Sequence, residues 1–138
     1  MKSVCKPIAW AVAVLVCGAA AIRADDPDAA KKAIKPFTFR DAKTGIIFYV
    51  ESDGRHVAAI DRDGKILWHR NPFEEHKLEP YRNARPVTAR IGADVSPNNV
   101  GQMKKAGQKG PYIWIAFNST QSFVADQMTG ESVFLGQD

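Results

Sequence analysis

Ile46-Ile47-Phe48-Tyr49-Val50, the turn Ser52-Asp53-Gly54, the run His56 to Asp61, the turn Asp61-Arg62-Asp63-Gly64 and Lys65-Ile66-Leu67-Trp68-His69 follow in close succession. Each apolar run is too short for a stable helix and is bounded by turn residues. Gly supplies the positive φ that a tight hairpin demands, so Asp-Gly between apolar runs predicts antiparallel pairing. The stretch therefore predicts a three-stranded antiparallel meander over residues 45–70. Alternation within its last strand places Ile66 and Trp68 together on the core face.

The pattern returns near the C-terminus. Tyr112 to Phe117, the turn Asn118-Ser119-Thr120, Ser122 to Asp126, the turn Met128-Thr129-Gly130 and Ser132 to Leu135 predict a second meander over 111–136. Tyr49 and Trp114, Asp53 and Asn118, and Asp61 and Asp126 all lie 65 positions apart, and Gly64 and Trp68 match Gly130 and Phe134 after a one-residue insertion. Repeated units of this kind bury one another's faces. The expected fold is all-β: two three-stranded, blade-like meanders packed as a small sandwich or partial propeller in a single domain over 37–138. Strand periodicity begins at Phe37. Between the meanders, Asn71 to Tyr81 reads as loop, Pro86 to Ile91 alternates like a strand, and Ser96-Pro97 opens a short helix that ends before Gly107. The runs Ile46–Val50 and Tyr112–Phe117 are apolar at every position, which predicts cover on both of their faces.

The second turn of each meander carries a recognisable phrase: Ala59-Ile60-Asp61-Arg62-Asp63-Gly64-Lys65-Ile66-Leu67-Trp68, then Ala125-Asp126-Gln127-Met128-Thr129-Gly130-Glu131-Ser132-Val133-Phe134. Both resemble the blade motif of the pyrroloquinoline-quinone-type β-propeller family, in which Asp precedes a Thr-Gly turn and Trp follows four residues after the Gly. Asp61 and Asp126 suit capping of turn amides, Gly64 and Gly130 suit positive φ, and Trp68 and Phe134 suit packing onto a neighbouring sheet. Asp63 stands in place of Thr in the first copy and Phe134 in place of Trp in the second. A closed propeller needs about four to eight blades, and this chain holds material for two. The resemblance therefore implies blade-like local structure, and it carries over no quinone or metal ligand.

Residues 1–24 read as a secretory signal peptide: Lys2 and Lys6, an apolar run from Ile8 to Val16, then small residues from Gly18 to Ala21. Cleavage is expected after Ala24 or Ala21. Both cysteines, Cys5 and Cys17, fall inside this segment, so the exported chain has no disulfide to hold it. Three of the 19 basic residues and none of the 15 acidic ones lie there, leaving 16 against 15 and a net charge of +1. That balance gives no electrostatic case for nucleic acid or an anionic membrane, and no integral membrane segment is expected after leader removal. Export without disulfides leans toward a bacterial, periplasmic or secreted protein. Residues 25–36 read as a linker or one short helix started by Asp26-Pro27 and stopped by Pro36.

Three groups of side chains suggest chemistry. His69, Glu74, Glu75 and His76 offer metal-ligand types, but a turn with Pro72 separates the histidines and no helix aligns them. His56 with Asp61 or Asp94 pairs a base with an orienter, yet Ser52, Ser96, Ser119 and Ser122 all read as turn or cap residues rather than nucleophiles. Tyr81, Arg82, Arg85 and Arg90 place one aromatic and three guanidinium groups within ten residues, suited to a carboxylate, sulfate or sugar or, alternatively, to covering apolar sheet edges. The leading expectation is a non-catalytic binding or scaffolding module with no cofactor and no metal, whose partner is a protein or an anionic or saccharide ligand. The alternative is a small secreted hydrolase or metal-dependent enzyme using His56, His69 or His76. A third reading is a subunit that completes a propeller-like assembly, either as a homo-oligomer or with other chains.

Overall fold

The computed structural model describes residues 35–138; the expected signal peptide, and all but the last two residues of the expected linker, lie outside the described residues. Among the described residues the fold is all-β, with two four-stranded antiparallel sheets and two helices. The first sheet runs β1 (Phe37–Arg40), β2 (Ile47–Val50), β3 (Val57–Ile60) and β4 (Ile66–Arg70), each strand paired to the next. The one-turn helix α1 (Pro72–Glu75) follows. The second sheet runs β5 (Thr88–Gly92), β6 (Tyr112–Phe117), β7 (Ser122–Asp126) and β8 (Ser132–Gly136) in the same order, and α2 (Pro97–Lys105) lies between β5 and β6. Among the described residues no helix is long and apolar enough to cross a membrane.

Each meander thus has four strands where three were expected. β1 adds to β2 in the register Phe37↔Val50 to Arg40↔Ile47, and β5 adds to β6 along the segment whose alternation pointed to a strand. Part of the expected loop 71–81 is α1. Asn71 caps it by accepting from the Glu74 amide, and Pro72 occupies its first turn, where a missing N–H costs nothing. Ser96 caps α2 through the Asn99 amide, and Gly107, at φ +82°, follows its end.

The inner faces of the two sheets meet. Phe48, Val50, Val57, Ala59 and Trp68 from the first pack with Ile113, Ile115, Phe117, Phe123 and Ala125 from the second, and Phe73 of α1 plugs one side. A bulge corrects the alternation expected in β4. Ile60 pairs with Ile66 and Ala59 with Trp68, so Leu67 is the extra residue. The bulge turns Trp68 inward, 7% exposed, and leaves Ile66 outside at 62%.

The outer faces differ. α2 packs across β7 and β8, with Met103 fully buried, and Val124 on that face is buried too. No described helix covers the outer face of the first sheet, where Tyr49 is 36% exposed. The cover expected on both faces of Ile46–Val50 is therefore incomplete. In β2 the burial alternates although the polarity does not, and Tyr49 stands out into solvent.

Candidate functional site

The hairpin between β2 and β3 gathers chemistry that no sequence motif announced. Tyr49 pairs with Ala58 and Ala58 with His69, so Glu51, His56 and His69 share the open outer face. The turn is fixed by the Gly54 amide donating to the Glu51 carbonyl and the Glu51 amide donating to the His56 carbonyl. Asp53 Oδ1 accepts the Arg55 amide at 2.9 Å and the His56 amide at 3.0 Å, which turns Oδ2 onto His56 Nδ1 in a short contact. His69 Nε2 lies 2.8 Å from Glu51 Oε1, and the His56 and His69 rings stack at 5.0 Å with a 10° interplanar angle. One ligand-type atom from each of Glu51, Asp53 and His56 falls within 4.8 Å of the others, so among the described residues these three could hold an ion. Burial alone would raise the Asp53 carboxyl, but the Arg55 and His56 amides and the His56 ring outweigh it and hold it below the usual carboxylate range.

Two cavities adjoin the hairpin. One, of about 350 Å³, is lined by His56, His69, Arg70, Asn71, Glu74 and Glu75. The other, of about 380 Å³, shares Asn71 and Glu74 with it and continues past Arg55, Phe73 and Leu78. Together they run along α1. The expected grouping of His69 with His76 is not assembled: His76 Nε2 lies 2.9 Å from Ser132 Oγ and its ring packs on Phe123 at 5.3 Å, away from the His56–His69 stack. Asp61 is not an orienter for His56 either, since its carboxylate accepts the Asp63 and Lys65 amides. Ser96 caps α2, and Ser119 is buried and donates to Gln121 Oε1 at 2.7 Å.

The arginine-bearing segment divides in two. Arg90, on β5, stands 5.7 Å above the Trp114 ring and so covers an apolar edge of the second sheet. Arg82 folds over Tyr81 at 5.2 Å and holds φ +54°, and Arg85 is exposed. Neither Arg82 nor Arg85 has an ion pair among the described residues. Their loop is tied down at both ends. Gln121 Nε2 donates to the Glu79 carbonyl at 3.1 Å, and Arg55 Nε donates to the Pro86 carbonyl at 3.0 Å.

A third element is a buried polar pin between the sheets, centred on Gln127. Its side-chain amide donates to Asp41 Oδ2 at 2.7 Å and to the Tyr112 carbonyl at 3.1 Å, while its Oε1 accepts from Thr44 Oγ1 at 2.9 Å. Its own carbonyl accepts Trp68 Nε1 at 2.8 Å, and its amide donates to the Pro111 carbonyl. Asp61, Asp126 and Gly130 play the local roles their phrase suggested. Asp126 Oδ1 accepts the Met128 and Thr129 amides, and Gly130, at φ +73°, lies under the Trp68 indole, where a Cβ would stand 2.7 Å from Cδ2. Phe134 packs on Phe123 at the core edge. Gly64, by contrast, has open space above it.

Asp41-Ala42-Lys43-Thr44-Gly45 is a further copy of the Asp126–Gly130 turn, unnoticed in the sequence because it joins β1 to β2 rather than β3 to β4. Four hydrogen bonds correspond. Gly45 donates to the Asp41 carbonyl as Gly130 does to that of Asp126, and the Asp41 and Asp126 amides both donate to the carbonyl five residues on. Lys43 and Met128 amides reach the carboxylates, and Ile46 and Glu131 amides reach the threonine hydroxyls.

No family model matches this chain, and neither a curated protein nor a solved structure matches it.

Proposed function

We propose that this protein is an exported, non-catalytic binding module in which two blade-like sheets present a recognition surface on the loop after α1. Arg82 and Arg85, with Tyr81 beside them, recognise an anionic partner, either a carboxylated or sulfated saccharide or an acidic protein surface. Arg90 contributes less, since Trp114 already engages it. The observation that carries this reading is the state of the two guanidiniums: exposed, without an ion pair among the described residues, and mounted on a loop anchored at Glu79 and Pro86. Arginine forks bind carboxylate and sulfate bidentately, and a tethered loop loses less conformational entropy on binding than a free one.

The test is chromatography of purified protein on immobilised sulfated and carboxylated polysaccharide. Arg82→Ala/Arg85→Ala should elute at clearly lower salt than the unaltered protein while melting at the same temperature, because neither side chain supports the core. Equal elution of the two proteins places recognition elsewhere, and unfolding of the double variant makes the arginines structural.

A second reading, a subunit of a larger propeller-like assembly, is favoured by one feature. Both sheets are four-stranded up-and-down meanders, and the indole of Trp68 seats on the Gly130 turn of its neighbour while the matching Gly64 turn stands open. Another sheet with an aromatic at the corresponding place would fit there. The mass of the protein in solution decides between one copy and several.

A further inference from the structure

We infer that Glu51, Asp53 and His56 form a binding site for a divalent transition-metal ion of the zinc class, with His69 orienting the Glu51 carboxylate. The inference is independent of the arginine loop and of any catalytic role.

Four observations converge on it. The donors are mixed, one imidazole and two carboxylates whose ligand atoms lie within 4.8 Å of one another. Imidazole with carboxylate suits zinc, nickel and copper, whereas calcium and magnesium take sets made wholly of oxygen. The three residues come from one six-residue hairpin whose backbone is closed at both ends, by Glu51 N–H to the His56 carbonyl and by the Gly54 amide to the Glu51 carbonyl. Asp53 is further fixed by the two amides on Oδ1, so Oδ2 faces His56 without a free rotamer search. Little ordering therefore remains to oppose capture of an ion.

Charge supports the same assignment. Glu51 and Asp53 bring two carboxylates to the cluster, and a dication offsets their negative charge. The charged groups that face the cluster are Arg70, Glu74 and Glu75, across the adjoining cavity. Arg70 is already engaged by Glu75 and Glu131, so it does not compete for Glu51 or Asp53.

The outer contact has the form that supports a bound metal. His69 Nε2 sits 2.8 Å from Glu51 Oε1, and its ring lies flat on His56. Residues that hydrogen-bond a ligating carboxylate fix its direction, and their loss weakens metal affinity by about 10–100-fold. His56 and His69 also border the 350 Å³ cavity, leaving room for water to complete the coordination sphere.

Calorimetric titration of the full chain with zinc chloride tests the site, alongside thermal melts with zinc, nickel, calcium or magnesium. One equivalent of zinc should bind saturably and raise the melting temperature, while calcium and magnesium leave it unchanged. His56→Ala and Asp53→Asn should each weaken zinc by more than about tenfold, the second keeping the turn intact because an amide oxygen still caps Arg55. His69→Ala should weaken zinc by about 10–100-fold. His76→Ala, at a site remote from the cluster, should bind as the unaltered chain does. The proposal is overturned if zinc binding is absent, if it survives His56→Ala and Asp53→Asn unchanged, if His76→Ala abolishes it, or if calcium binds as tightly as zinc. Metal-free melts of all four variants separate lost binding from lost folding: a variant that melts like the unaltered chain without metal and still binds zinc fully counts against the site.

Discussion

At the scale of single residues, Trp68 and Gln127 join what would otherwise be two independent sheets. The indole fills the space between them with apolar surface, and its N–H donates to the Gln127 carbonyl in the opposite turn. Removing the whole side chain leaves a cavity and an orphaned acceptor, so Trp68→Ala should cost about 3–5 kcal/mol. Trp68→Phe keeps most of the apolar area and loses only the donor, which predicts a smaller loss of about 1–3 kcal/mol for the unpaired Gln127 carbonyl. Denaturant melts of the three proteins check the ordering. A Phe variant as unstable as the Ala variant would put the energy in the hydrogen bond, and an Ala variant within about 1 kcal/mol of the unaltered protein would deny Trp68 its core role. The place of Trp68 in the core was legible from its position after the Asp-Gly turn. The companion expectation for Ile66 failed because a bulge at Leu67 shifts the face, and a bulge depends on how the second strand fits against the first. Gln127 was not legible at all. Its role arises only when Asp41, Thr44 and Trp68 are brought to it across the interface from positions at least 59 residues away.

At the scale of elements, the hairpins were the most readable part of the chain, since Gly in a turn and apolar runs on either side constrain one another over a few residues. β1 and α1 were harder to see. β1 is a four-residue edge strand with half its positions exposed, so its apolar signal is thin, and α1 is a single turn made by Asn71 and Pro72 rather than by an apolar face. The His56–His69 pairing lay hidden for a different reason: it needs the register Ala58↔His69, which alternation within either strand alone does not supply. The turn 41–45 also carries a pH dependence. Burial by itself would raise the Asp41 carboxyl, but the Gln127 side-chain amide, the Lys43 amide and the Thr44 donors outweigh it and hold it below the usual carboxylate value of 3.8. A carboxyl whose folded-state value is depressed contributes stability that is present in full above its unfolded value, about 3.9, and is lost as the pH falls through the folded-state value. The melting temperature should therefore decline as the pH drops below about 4. Asp53 acts in the same direction, weakened by solvent because its side chain is 44% exposed. Asp41→Asn should lower the melting temperature at pH 7 and flatten its decline in acid. A variant that keeps the full acid dependence would assign it to other carboxylates.

At the scale of the whole molecule, the two sheets share a topology and differ in protection. The second sheet is covered twice, by the first sheet on its inner face and by α2 on its outer, so Ile113, Ile115, Phe123 and Val124 are all fully buried. Among the described residues the first sheet is covered once, on its inner face. Its outer face carries Tyr49, Glu51, His56 and His69 into solvent, which leaves that face free for the binding chemistry assigned to it. Local opening free energy follows buried apolar contact, and elements used for recognition come from its lower end. Backbone amide hydrogen exchange should accordingly be slowest in β6 and β7, intermediate in β2 and β3, and fast in the edge strand β1. Tyr112, Thr44 and Asp41 all depend on Gln127, so the two sheets are not expected to open independently while that pin is intact. Gln127→Ala should speed exchange in the 41–46 turn and in β2, with β7 changing less because α2 still holds it. Exchange measured by nuclear magnetic resonance on both proteins tests this directly. Equal acceleration of the two sheets would mean that the pin supports one cooperative unit, and unchanged rates at 41–46 would mean that apolar packing alone couples the sheets.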